Sequence, residues 1–225
     1  MTLWIDDWLS VGRFGTYLTA TGGVRERGLN LYEWNARLSA AFLHDMNHLE
    51  VALRNAYDRA LTAAIIPGEN HRTEPQTIAR LFPGSGGNDQ LLEQQKDNGA
   101  ISRAQIEKAR EEASKPNNST LVPGKVIAEL MFGFWTYLTS NSNEKTIWVP
   151  YLHKAFPPGT ERRKVHYALF ELRNFRNRVA HHEPILTKSE LERRRMMYVV
   201  RLLSPNVLNH LTTNSEVSAI LTTRP

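Results

Sequence analysis

The residues best suited to chemistry lie in one short stretch, 173–182, which reads Arg-Asn-Phe-Arg-Asn-Arg-Val-Ala-His-His. It contains three guanidiniums, two carboxamides and two imidazoles, and Pro184 follows two residues later. A guanidinium holds phosphate oxygens in a fixed fork, and an imidazole can transfer a proton near neutral pH. This combination is typical of a site that binds and cleaves phosphodiesters. A solvated basic helix face that ends in a histidine would explain the same residues without any chemistry.

Positive charge is concentrated around the same stretch. The 225 residues include 28 Lys and Arg against 23 Asp and Glu, which gives a net charge of +5 and a pI of about 9.6. Residues 161–182 alone hold six basic and two acidic side chains, so most of the surplus is local. This distribution favours a polyanionic partner. The six basic residues are Arg162, Arg163, Lys164, Arg173, Arg176 and Arg178.

Composition excludes several classes of protein. The chain has no cysteine, which excludes a disulfide framework, a thiolate-bound metal and a cysteine nucleophile. The first eight residues, MTLWIDDW, carry two acids and no basic segment, unlike a signal peptide. No window is long and apolar enough to span a membrane. We therefore expect a cytoplasmic protein without a membrane anchor.

Hydrophobic periodicity predicts an all-α fold, because apolar residues recur every three or four positions and strand-like alternation is scarce. The chain is expected to form a single domain over residues 1–225. The segment at about 68–124 is interpreted as an inserted loop-and-helix excursion, since a glycine-rich turn and a polar helix interrupt the apolar pattern. The predicted helices cover residues 3–19, 33–64, 89–114, 125–139, about 160–180 and 189–203.

Several local signals refine these helices. Thr160 is a plausible N-cap for the helix that carries an apolar stripe through to the histidines. Ser189 and Glu192 have the spacing of a capping box. The helix at 125–139 is expected to be the most buried, with Met131 in its apolar stripe. A phosphate-binding loop at the glycine-rich turn is disfavoured, because no Gly-Lys-Ser/Thr and no strand accompany it.

The spacing within the reactive stretch limits its geometry. On a regular helix Arg173, Asn177 and His181 share one face. Arg176 precedes His181 by five residues, which places the two about 140° apart around the axis and about 7.5 Å along it. They can act on one group only if the helix loosens near Ala180, or if another helix or a second copy of the chain completes the site.

Four blocks of sequence resemble the Abi-like (abortive infection) branch of the HEPN superfamily. They read LYEWN at 31–35, LEVALRN at 49–55, FGFW at 132–135 and LRNFRNRVAHH at 172–182, in the order typical of the family. The last block contains the Arg-x4–6-His signature of that superfamily. The resemblance implies a HEPN-like helical bundle, a homodimer that brings two such motifs together, and metal-independent endonucleolytic cleavage of RNA without a cofactor.

The resemblance also implies roles for individual residues. In RNA the 2′-hydroxyl is an internal nucleophile, so the enzyme must orient it, manage protons and stabilise the phosphorane. His181 would be the general acid/base, Arg176 would clamp the scissile phosphate, and Asn177 would orient the phosphate or the imidazole. The products would carry a 2′,3′-cyclic phosphate.

Supporting roles are expected for five further residues. His182 would share the proton transfer or simply stack at the helix end. Arg173 and Arg178 would contact the substrate backbone or acidic neighbours. Glu50 and Arg54 would form an intrahelical salt bridge, or one of them would reach the Arg/His site and orient it.

Other functions are open at this point. His44 and His48, with Asp45 between them, have a spacing that can bind zinc, but no third ligand is recognisable. A Ser-His-Asp hydrolase lacks strands to carry its serine, and a DNA-binding helix-turn-helix would leave the terminal histidines without a purpose. A non-catalytic RNA-binding module and a purely structural dimerisation protein are further alternatives. The leading interpretation is an RNA-cleaving toxin of phage defence, which implies a neutralising protein or RNA that restrains it.

Overall fold

The computed structural model describes residues 4–68, 74–82, 98–115 and 122–225, and within these ranges every regular element is helical. The all-α prediction is therefore confirmed. In the same ranges no helix has both the length and the hydropathy to cross a bilayer. The α-helices are α1 (Trp4–Leu9), α2 (Val11–Ala20), α3 (Arg25–Thr62), α4 (Pro75–Leu81), α5 (Asn98–Ser114), α6 (Pro123–Glu129), α7 (Phe132–Leu138), α8 (Arg162–Ala180), α9 (Ser189–Leu203), α10 (Pro205–Asn214) and α11 (Val217–Thr222).

The long helix α3 is the element on which the fold is organised. Its 38 residues span about 57 Å, and α2, α7, α8, α9, α10 and α11 all pack against it. It begins eight residues before the predicted start, because its first turns pack against α2. Gly28 allows this approach, since a Cβ atom there would lie 3.3 Å from side-chain atoms of Phe14 and Leu18.

Helix α8 is fixed against α3 by the apolar stripe that the sequence predicts. Phe42 of α3 and Phe175 of α8 meet edge to face, with ring centroids 4.7 Å apart. All five residues of the stripe are buried, which confirms the prediction and defines which residues of α8 are left to face solvent. The five buried residues are Val165, Leu169, Leu172, Phe175 and Val179.

Two predicted helices are each broken in two. The segment expected at 3–19 is interrupted at Ser10, which has a φ of 61° and whose hydroxyl accepts a hydrogen bond from the Arg13 amide. The segment expected at 125–139 is interrupted at Leu130 and Met131, which are both extended. The Trp135 indole donates to the Leu130 carbonyl at 3.2 Å, which satisfies the backbone group that the break releases. Met131 was wrongly placed in the buried stripe, since it is 80% exposed.

The predicted caps of α8 and α9 are also wrong. Thr160 donates its hydroxyl to the Pro157 carbonyl, and Glu161 occupies the N-cap position without a side-chain hydrogen bond. Ser189 donates to the Ile185 carbonyl at 2.6 Å, and Glu192 pairs with Arg195, so neither makes a capping-box contact. Both helices nonetheless form over the expected residues.

The described parts of the segment at 68–124 pack onto the rest of the protein. Ile78 and Leu81 of α4 and Ile106 of α5 are buried in the same apolar core as α3 and α8. Helix α5 confirms the later part of the helix predicted at 89–114, whereas residues 89–97 lie outside the described residues. That this segment is an insertion stays a prediction.

Candidate active site

The C-terminus of α8 determines where the two histidines lie. The helix ends at Ala180, immediately before the two histidines, so the predicted apolar stripe leads directly to them. The Glu183 amide donates to the Arg178 carbonyl at 2.9 Å, and the His182 amide to the Val179 carbonyl at 3.0 Å. These two bonds form a Schellman motif, in which His181 is the C-cap and His182 takes the following position.

His182 adopts a left-handed backbone conformation that glycine usually supplies, with a φ of 56°. Its carbonyl accepts a hydrogen bond from the Arg13 side chain of α2 at 3.0 Å. Backbone strain of this kind is often found at functional sites. The hydrogen bond from Arg13 holds this backbone conformation of His182, and it joins two elements that are far apart in the chain.

Asn177 and His181 lie on one exposed face of α8, as the sequence predicts. The His181 amide donates to the Asn177 carbonyl at 2.9 Å, so helical geometry persists to the C-cap. Both side chains are exposed. Neither has a hydrogen bond to another described residue, which leaves both available to a ligand.

Arg176 points to a different part of the surface and contacts Glu50 of α3. The distance from Arg176 Nε to Glu50 Oε1 is 3.5 Å. Arg54 lies one turn after Glu50 and lines the same cavity of about 190 Å³, but no carboxylate of the described residues lies within ion-pair distance of it. Glu50 therefore reaches across to α8, in contrast to the simple intrahelical salt bridge that its spacing also allowed.

Residues of α6 and α7 complete this cavity, and sequence reasoning gave them no role in the site. Glu129 adds a second carboxylate, and Trp135 forms part of the wall. The FGFW block at 132–135 was the signal that could have identified Trp135. Two carboxylates and two guanidiniums line the cavity, so an anion would have to be bound by direct contact with a guanidinium.

His181 is not among the residues that line the cavity of Arg176. Within one copy of the chain the structure thus brings together Glu50, Arg54 and Arg176, and it brings together Asn177 and His181, but it does not join the two groups. Arg176 and His181 therefore lie apart within one copy, as the geometry of a regular helix predicts.

The other two arginines of the stretch have local partners. The Arg173 guanidinium lies over the Phe170 ring at 5.2 Å, and its buried Nε has no hydrogen-bond partner among the described residues. Arg178 donates to the Pro184 carbonyl at 2.8 Å and pairs with Glu183 at 3.4 Å. Arg178 thus contacts an acidic neighbour, one of the two arrangements that were expected for it.

Two further members of the six basic residues that suggested a polyanionic partner, Arg162 and Lys164, are also paired within the protein. The Arg162 side chain is only 4% exposed and contacts the Thr139 carbonyl, Asn141 and Glu144. Lys164 pairs with Glu161 at 2.6 Å. The positive surface is therefore smaller than the sequence count indicates.

Among the described residues, His44 and His48 are not joined by a third side chain that could complete a zinc site. His44 and His48 stack edge to face at 4.9 Å, but Asp45 is fully buried and joins the His44 ring to the Ser215 hydroxyl. Asp45 thus ties α3 to the junction of α10 and α11. Across the described ranges, no group of three or more His, Asp or Glu side chains is arranged to hold a metal ion.

Fold and site together define an all-helical protein with an arginine–glutamate cavity between two helices and an exposed histidine at the end of one of them. Residues 17–187 match the family described as Abi-like protein. Because this match covers well over half of the chain, the protein belongs to the Abi-like family. The family's description suggests abortive infection, a form of phage defence. No curated protein and no solved structure is significantly similar to the chain.

Proposed function

We propose that this protein is a HEPN-type endoribonuclease of phage defence that cleaves RNA by attack of the 2′-hydroxyl. The observation that carries the proposal is the contact between Arg176 of α8 and Glu50 of α3, beside Arg54, which has no ion-pair partner among the described residues. The exposed His181 caps the C-terminus of α8. This arrangement supplies a positioned guanidinium at Arg176, a second guanidinium at Arg54 and an exposed imidazole at His181. Family membership and the Arg-Asn-x-x-x-His sequence support the same reaction.

In the proposed reaction His181 accepts the proton of the 2′-hydroxyl, whose oxygen attacks the adjacent phosphorus. The bond from phosphorus to the 5′-oxygen breaks, and that oxygen leaves with the proton that the His181 imidazolium now holds, which restores the neutral ring. The products are a 2′,3′-cyclic phosphate and a 5′-hydroxyl. Arg176 and Arg54 would stabilise the negative charge that develops on the phosphorane oxygens, and Asn177 would orient the phosphate or the imidazole.

The reaction would use residues from two copies of the chain. One exposed face of α8 leads along the helix to His181 and carries two large aromatic side chains, Tyr167 and Phe170, which are 57% and 39% exposed. Exposed aromatic residues on a helix face favour association with a partner surface, and a two-fold dimer through this face would place two His181 side chains near its axis. His181 of one copy could then serve the Arg176 cavity of the other.

Such an activity would need restraint in its host, so we propose that a neutralising protein or RNA binds the enzyme until it is activated. The α8 face and the Arg176 cavity are the surfaces that such an inhibitor would cover.

The test is incubation of the full-length protein with total RNA and with transfer RNA in the presence of a chelator. Wild type should produce fragments that end in a 2′,3′-cyclic phosphate. Arg176→Ala should produce them at a much lower but measurable rate, and His181→Ala should not produce them. Arg37→Ala is the matched control, since Arg37 is an exposed arginine of α3 about 20 Å along the helix from Glu50. Fragments of equal yield from wild type and His181→Ala would overturn the proposal.

One observation favours a second candidate, a non-catalytic RNA-binding module. Within one copy, His181 does not line the cavity of Arg176, and the arginines alone could bind phosphates. This candidate requires RNA affinity without any cleavage by the wild-type protein. The nuclease requires that His181→Ala keeps its affinity for RNA and loses turnover.

A further inference from the structure

A second groove lies beside α3, about a quarter-turn around the helix from Glu50 and Arg54. Its volume is about 480 Å³, within the range of sites that hold small organic ligands. Helix α3 supplies Asn47, His48, Val51, Asn55 and Arg59, and the other wall is formed where α9 passes into α10 and includes Val207.

The polar side chains of this groove are open to a ligand. Asn47, Asn55 and Arg59 are exposed, and none of their side chains has a hydrogen bond or ion pair with another described residue. No carboxylate of the described residues lines the groove. Carboxamides match the edges of nucleobases, and a guanidinium matches phosphate. Apolar walls such as Val51 and Val207 can hold the faces of a base.

His48 is the most constrained of the lining residues. Its ring packs edge to face against His44 at 4.9 Å and against His210 of α10 at 5.5 Å. The buried Asp45 holds His44 through a 2.9 Å contact. An imidazole held by two neighbours is a preorganised surface for a planar ligand, because little side-chain freedom is lost on binding.

The groove is close to the proposed cleavage site. Two rows of side chains run along α3 here, one formed by Glu50 and Arg54 and the other by Val51 and Asn55. The two rows lie about 100° apart around the helix axis. A strand whose phosphate lies at Arg54 therefore needs to cross only the width of one helix to reach the groove.

We propose that this groove binds one nucleotide of single-stranded RNA, with its base against His48 and the two asparagines and its phosphate on Arg59. The groove would thereby select the base near the cleaved bond. The proposal rests on the proposed nuclease function for its place in the reaction, but the binding itself can be measured without any cleavage.

The experiment titrates full-length protein with each of the four ribonucleoside 5′-monophosphates and with a 2′-O-methyl hexanucleotide, which cannot be cleaved. Binding is followed through the imidazole proton resonances of His48, assigned with His48→Gln. At least one probe should shift these resonances saturably. Arg59→Gln should weaken that binding about tenfold, and Arg37→Gln, an exposed arginine of the same helix, should not.

The outcomes separate the sources of the nucleotide and the two proposals. A shift with the hexanucleotide that depends on Arg59 supports the inference, whether or not monophosphates bind. A shift with monophosphates alone overturns the assignment to RNA in favour of a free nucleotide. If no probe shifts the resonances and wild type still cleaves RNA, the proposal that the groove binds a nucleotide is overturned and the nuclease proposal is not. If cleavage persists in His181→Ala, the proposed nuclease mechanism is overturned and the groove proposal is not.

Discussion

Arg176 Nε lies 3.5 Å from Glu50 Oε1, and this contact joins α8 to α3 beside Arg54. The Arg176 side chain is 41% exposed and that of Glu50 is 26% exposed. An ion pair this accessible to solvent contributes at most about 1 kcal/mol to stability. We therefore expect the ion pair to orient the Arg176 guanidinium and to add little to the stability of the fold.

Glu50→Gln is expected to lower RNA cleavage about tenfold while changing the free energy of unfolding by less than about 1 kcal/mol. The amide keeps the shape of the side chain but holds Arg176 less firmly. Cleavage rates and urea denaturation of the same preparations provide the measurement. Glu33→Gln, an exposed glutamate of α3, is the matched control.

A double-mutant cycle sharpens this prediction. If Glu50 acts through Arg176, Glu50→Gln should cause no further loss in an Arg176→Ala background. Losses that simply multiply would show that Glu50 acts independently of Arg176.

Arg162→Ala is expected to destabilise the protein by about 3 kcal/mol, whereas Arg163→Ala should change stability by less than about 0.5 kcal/mol. Arg162 is buried and donates to the Thr139 carbonyl and to Asn141, so its removal takes a hydrogen-bond donor away from the buried Thr139 carbonyl. Arg163, its neighbour in sequence, is exposed. Urea denaturation of both variants tests the contrast, and equal stabilities would contradict the assigned structural role of Arg162.

His182→Gly is expected to be more stable than His182→Ala by about 1 kcal/mol. Both substitutions remove the imidazole, but only glycine adopts a φ of 56° without steric cost. Thermal or urea denaturation measures the difference. Cleavage by the two variants separately reports whether the imidazole takes part in proton transfer, since both lack it.

Phe170→Glu is expected to convert a dimer into a monomer and to reduce cleavage with it. The charge would lie in the α8 face through which association is proposed. Sedimentation velocity measures the oligomeric state, and circular dichroism checks that the helices are intact. Leu43→Glu is the matched control, because Leu43 of α3 is 41% exposed against 39% for Phe170. A Phe170→Glu protein that sediments like wild type would remove the basis for an α8 interface.

The parts of the fold that could be predicted are those decided by a single buried face. The apolar stripes of α3 and α8 are long and regular, and they are explained by burial of one face of each helix in the common core. The break at Ser10 carries a local signal that apolar periodicity does not detect, since serine is a common N-cap and its hydroxyl accepts from the Arg13 amide. The break at Leu130 could not be predicted. The Leu130 carbonyl is satisfied by the Trp135 indole, and this contact has no local sequence signal.

At the candidate site, too, some features follow from the local sequence and others depend on tertiary contacts. The Arg-Asn-x-x-x-His pattern identified Arg176 and His181, and the spacing of Glu50 and Arg54 suggested that one of them could reach the site. The sequence could not decide between that arrangement and an intrahelical pair, because the choice depends on how α8 lies across α3. Charge counting failed at Arg162 for the same reason, since burial against Thr139 is a tertiary property.

The last prediction concerns His166 of α8, where burial and the nearby guanidiniums of Arg162 and Arg173 lower the pKa of the imidazole below its ordinary value of 6.5. The Thr139 hydroxyl donates to the Thr136 carbonyl, so it accepts from His166 Nδ1 at 3.0 Å. The folded protein therefore favours the neutral ring.

Because the unfolded chain binds a proton at His166 more readily than the folded protein, stability is complete above pH 6.5 and falls as the pH drops through the folded pKa. His166→Asn keeps a donor for Thr139 but removes the titration. The free energy of unfolding of wild type minus that of the variant should be constant above pH 6.5 and decrease towards pH 5. Urea denaturation across this range measures the difference, in which contributions from the other histidines cancel. A difference that stays constant, or that rises as the pH falls, would show that the packing around His166 does not disfavour its charge.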